Sequence, residues 1–175
     1  MEIPGLGPVT VDGDDYASAP LPVPVLGDAL CRFVVVGYDD DEAKADFETA
    51  VRAFLGLGES ALRSASVPVF QYYLDVRAEV DGEDFVSVSG PEDVWSHVHV
   101  RPGSEVTVQR EDAHGDRQVY VSVECECAWE PEHGLQIVFR RGGTVAKVGP
   151  FDGHLTNAAA FDRADLAGAV YHRFA

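Results

Sequence analysis

Basic residues are scarce in this sequence. Thirteen Lys and Arg stand against thirty Asp and Glu, a formal net charge of -17. Most of such a surface repels nucleic acid and anionic membranes. No basic patch with interleaved aromatics offsets it, so nucleic-acid binding is not expected. Long apolar runs are missing too, and no segment is expected to span a membrane. The start, Met1-Glu2-Ile3-Pro4, has no basic stretch followed by an apolar one, so no secretory leader is expected. There are only three cysteines, which points to free thiols and a reducing, cytoplasmic setting rather than a disulfide framework. The G-x-S-x-G elbow, H-E-x-x-H, the phosphate loop G-x-x-x-x-G-K-[ST] and a G-x-G-x-x-G after a strand are all absent. The charge that remains attracts a cation or a basic protein partner, and solubility is its plainer account.

What is present suits one α+β domain over residues 1–175. Hydrophobic residues make up 46% of the chain, enough for a packed core. The expected divisions are a hairpin and extended segment over residues 1–37, a helical segment over 39–80, an antiparallel sheet over 104–149 and a C-terminal segment over 150–175. The clearest pattern lies in the sheet region. Val119, Val121, Val123, Cys125 and Cys127 alternate with Tyr120, Ser122, Glu124 and Glu126. Period two turns the first set to a core and the glutamates to solvent. Leu135, Ile137 and Phe139 repeat the pattern. Gly142-Gly143 supplies a tight hairpin turn, and Val145 and Val148 sit on a short return strand. This reads as an antiparallel β-meander of about four to six strands, packed against two central helices.

Upstream, Asp12-Gly13 marks a hairpin within residues 7–16. Pro20, Pro22 and Pro24 impose an extended segment unsuited to a sheet interior. Residues 29–36 form a strand. Asp39, Asp40 and Asp41 read as the cap of a helix bearing Phe47, Val51 and Phe54. Pro68 kinks or divides the next helical pattern, which carries Val69, Tyr73 and Val76. A turn follows at Asp81-Gly82. The tail places Leu166, Val170 and Phe174 on one side of a weak helix.

A meander sorts its loops between the two ends of a sheet. Loops 128–134 and 150–157 are separated by one hairpin, so they fall at the same end. That end gathers the binding candidates Glu130, Glu132, His133, Asp152, His154 and Asn157. The residue types suit a divalent metal or acid–base work, and turn-forming and backbone-capping roles are the plainer account. Cys125, Cys127, His133 and His154 make a second candidate set, four ligands for zinc. Mid-strand thiols facing a core are more often packing, so no cofactor is expected.

Trp129-Glu130-Pro131-Glu132-His133-Gly134-Leu135-Gln136 and Asp152-Gly153-His154-Leu155-Thr156 together resemble the signature of a bacterial domain-of-unknown-function family of small soluble proteins. The resemblance covers most of the chain and passes no catalytic role to any residue. Small acidic bacterial domains of this size include immunity and antitoxin proteins, an analogy of size and charge. The expected function is therefore a non-enzymatic acidic binding protein with a basic protein partner, through Glu124, Glu126, Glu130 and Glu132. The alternative is a metal-dependent hydrolytic enzyme at the His133/His154 end of the sheet.

Overall fold

The computed structural model describes residues 1–80, 82 and 84–173. The Asp81-Gly82 turn and the tail position Phe174 lie outside the described residues, through Asp81 and Phe174 themselves. Ten strands form one sheet: β1 (Glu2–Ile3), β2 (Gly7–Asp12), β3 (Asp15–Ser18), β4 (Leu21–Val23), β5 (Ala29–Val35), β6 (Val98–His99), β7 (Glu105–Arg110), β8 (Val119–Cys127), β9 (Leu135–Arg140) and β10 (Thr144–Gly149). Their order is β1-β2-β3-β5-β7-β8-β9-β10, with β4 beside β5 and β6 beside β8.

The architecture is α+β, and the sheet is mixed rather than wholly antiparallel. β5 and β7 run parallel, Phe33 opposite Val106 and Val35 opposite Val108. The reason lies between them. That segment holds three helices, α1 (Lys44–Leu55), α2 (Ser60–Arg63) and α3 (Ser66–Glu79), not two. Such a crossover is long enough to return the chain to the sheet in the same direction. The N-terminal strands are then incorporated through the β3–β5 pairing, which raises the strand number above the expected four to six. The helical pattern interrupted by Pro68 does divide into two helices, α2 and α3, with the break at residues 64–65. Pro68 itself sits in the first turn of α3, where an N–H has no intrahelical partner to lose.

One face of the sheet meets α1 and α3. Phe54 of α1 packs edge-on to Phe33 and Phe139, with ring centroids 6.1 and 5.1 Å away. The β9–β10 turn is made by Arg141 and Gly142, at φ of 50° and 68°, one position earlier than a Gly142-Gly143 turn. A Cβ on Gly142 would stand 1.9 Å from the Ala50 carbonyl oxygen, so α1 rests directly on that turn.

Over β8–β10 part of the opposite face is covered as well. Tyr120 and Ser122, expected beside the exposed glutamates, are buried. Tyr120 and Val138 pack with Leu155 from the segment following β10. A bulge in β10 prepares this cover. The register steps from Val145 opposite Phe139 to Lys147 opposite Val138. The extra residue lets Val145 and Val148, three apart, both reach the helical side, while Lys147 turns under the second face.

Candidate functional site

Loops 128–134 and 150–157 do meet: the Phe151 N–H donates to the His133 carbonyl at 3.2 Å. The first loop is shaped by its own sequence. Trp129 is 2% exposed and stands edge-on to Tyr72 and Tyr73 of α3. Glu130 Oε1 accepts from the backbone N–H groups of Glu132 and His133 at 3.1 and 3.3 Å, and its carbonyl accepts from Gly134 N–H. Gly134 has a φ of +63° and lies so near β8 that a Cβ would come within 2.5 Å of Cys125 O. Tyr72 Oη donates to the Gly134 carbonyl, fixing the loop on α3.

The second loop is held from below. Lys147 is 1% exposed. Its Nζ donates to Asp152 Oδ1 at 2.5 Å, Gln136 Oε1 at 2.8 Å and the His154 carbonyl at 3.2 Å. Three ammonium protons thus meet three acceptors, and Gln136 passes the chain on to Ser122 Oγ. Burial pulls the Lys147 pKa below the ordinary lysine value, with Asp152 opposing. Thr156 caps α4 (Asn157–Phe161) by accepting from Ala159 N–H. Asn157, buried, donates to the carbonyls of Ala169 and Val170.

The six binding candidates therefore separate. Glu130, Asp152 and Asn157 are committed to backbone groups and to Lys147. Glu132, His133 and His154 are exposed. Each histidine ring lies nearest its own loop's carboxylate, His133 Nδ1 at 3.6 Å from Glu130 and His154 Nδ1 at 3.5 Å from Asp152. No hydrogen bond or ion pair joins the two histidines among the described residues.

The zinc set is not assembled. Cys31, Cys125 and Cys127 are buried and free. Burial pushes the thiols of Cys125 and Cys127 up to about 12, which keeps them protonated and poor as ligands. Cys127 Sγ instead donates to the Glu130 carbonyl. The ligand atoms that do converge are those of Glu130, Glu132 and His133, all within 4.8 Å of one another.

The exposed members face a cleft of about 650 Å³ lined by Arg101, Glu105, Glu124, Glu126, Glu132 and His133. It exists because β8 outruns β7. Their pairing stops at Val106 opposite Val123, and β6 takes up only Cys127 and Glu126 beyond it. Arg101 pairs with Glu126, and Glu105 pairs with Arg32 at 2.6 Å. Among the described residues, the carboxylates of Glu124 and Glu132 have neither a hydrogen bond nor an ion pair. Arg101, Glu105 and the Lys147 support had no signal in the sequence other than the odd spacing of Val145 and Val148.

At the other end of the parallel pair a cleft of about 680 Å³ contains Asp41 and Arg110. Asp41 is not the cap of α1. Arg110 grips it with two hydrogen bonds, at 2.6 and 3.0 Å, and holds its carboxyl below the usual range. Arg110 also bonds Asp46 at 2.9 Å, and Asp40, Glu42 and Asp112 line the cleft beside them.

No helix among the described residues is long and apolar enough to cross a membrane. No curated protein and no solved structure matches the chain. A family profile described as a domain of unknown function, DUF6985, matches residues 5–155, and the chain belongs to that family.

Proposed function

We propose that the protein is a non-enzymatic binding protein whose acidic cleft takes a basic partner protein. The observation that carries this reading is the convergence of Glu124, Glu126 and Glu132 on one cleft, two of them without a countercharge. A net charge of -17 adds a long-range field that speeds encounter with a cation. An immunity-type inhibitor of a basic toxin is a role of this kind, and it accords with a cytoplasmic setting. The test is a pull-down at low salt followed by association kinetics on the captured protein. Capture of a basic protein, with an on-rate that falls steeply as salt is raised, supports the reading. Reversal of charge at Glu124 and Glu132 should then slow association more than it hastens dissociation. Recovery of no basic protein counts against it.

The convergence of Glu130, Glu132 and His133 favours a second reading, a divalent cation at the loop end with hydrolytic chemistry beside His154. Elemental analysis of protein purified without chelator or metal-affinity resin separates the two readings.

A further inference from the structure

We infer that the cavity between α2 and the sheet is a binding site for a small organic cation with one apolar ring. The cavity measures about 200 Å³ and shares only Cys125 with the lining of the acidic cleft. Its floor is the buried core itself, with Val25, Cys125 and Ile137 at 0, 3 and 1% exposure. Half-buried Trp95 forms part of the wall, its indole held by an Nε1–H bond to Ser66 Oγ at 2.8 Å. The rim carries the exposed residues Glu59 and Arg63. Apolar walls with a few polar groups at the opening are the usual build of a small-ligand site. A dry cavity of about 150 Å³ suffices for a benzene ring, so this one takes a single ring and a short tail.

The rim selects the sign of the tail. Arg63 is already paired with Glu92 at 2.9 Å. Glu59 lies against the turn at Gly27, 3.9 Å from where a Cβ would stand. Among the described residues its carboxylate has no ion pair or hydrogen bond. An ammonium at the opening gains that carboxylate, and the Trp95 indole adds a π face attractive to cations. A carboxylate tail meets repulsion from Glu59 and from the net charge of -17.

Calorimetric titration with 2-phenylethylamine, toluene and phenylacetate tests this. The amine should bind most tightly, toluene about five-fold more weakly, the upper range for an exposed ion pair, and phenylacetate weakest. Glu59→Gln should bring the amine down to the level of toluene. Val98→Phe, placed in the wall, should abolish amine and toluene binding together while circular dichroism remains native. Should that variant not fold, the native protein supplies the second readout: the amine should slow labelling of Cys125 by a small thiol reagent. No heat with any probe, equal binding of amine and phenylacetate, or unchanged Cys125 labelling under saturating amine overturns the inference.

Discussion

Lys147 Nζ lies 2.5 Å from Asp152 Oδ1, the lysine side chain 1% exposed and the aspartate 19%. This pair joins a bulged edge strand to the loop that follows it. It also explains why the second face of the sheet is covered over β8–β10: the ammonium needs a cover, and the segment after β10 brings the carboxylate with it.

The two halves of that pair should be unequal. Asp152→Ala leaves a buried ammonium without a countercharge and should cost about 3–5 kcal/mol. Lys147→Met keeps the apolar stem and leaves a carboxylate whose Oδ1 still accepts from the His154 N–H, for about 1–3 kcal/mol. Urea midpoints at constant m-value measure both. A larger loss for Lys147→Met would show that the ammonium is not the group in need of compensation.

Gly142 and Gly143 are adjacent but should respond differently. An alanine at 142 meets both a φ of +68° and the Ala50 carbonyl at 1.9 Å, so α1 has to shift. Strain of this kind costs on the order of 1–3 kcal/mol. Gly143 has open space around its Cβ position, and Gly143→Ala should stay within about 0.5 kcal/mol. Thermal unfolding of the two variants side by side decides it.

The buried thiols set an alkaline limit. Cys125 and Cys127 stay protonated to about 12 in the folded chain but ionise near 9.0 when unfolded. Within that window the folded state holds more protons, so their contribution is complete below 9.0 and is lost as pH rises. The limiting slope is about 1.4 kcal/mol per pH unit for each thiol. Lys147, shifted downward, has the opposite sign below its ordinary 10.5. Replacing both cysteines by valine should flatten the fall relative to the unaltered protein, a comparison in which Lys147 and the tyrosines cancel. Denaturation midpoints across that range give the slopes, and parallel slopes would falsify the assignment.

Asn157→Ala should loosen the C-terminal segment first. It leaves the carbonyls of Ala169 and Val170 without their side-chain donor, at about 1–3 kcal/mol. Hydrogen exchange should rise at residues 166–173 before it rises in β8. Uniform acceleration across the sheet would instead make Asn157 a global support.

Much of the local structure was legible in the chain. The alternation from Val119 to Cys127 located β8 and its exposed glutamates, and Phe47, Val51 and Phe54 located α1, because periods of two and 3.6 are short-range consequences of backbone geometry. Loop order brought His133 and His154 to neighbouring loops. The site was less legible. Glu130 and Asp152 have the composition of ligands, yet Glu130 Oε1 and Asp152 Oδ1 are used by backbone N–H groups and by Lys147, partners that composition does not reveal. The sequence by itself thus determined β8, its partner β9, α1, the core face of the central strands and the acidity. The tertiary structure decided the parallel β5–β7 joint, the covered second face, the acidic cleft where β8 outruns β7, and the cavity beneath α2. Each of these depends on contacts between segments far apart in the chain, where burial and pairing outweigh the local pattern: Lys147 is of a residue type that is rarely fully buried and is among the most buried in the protein.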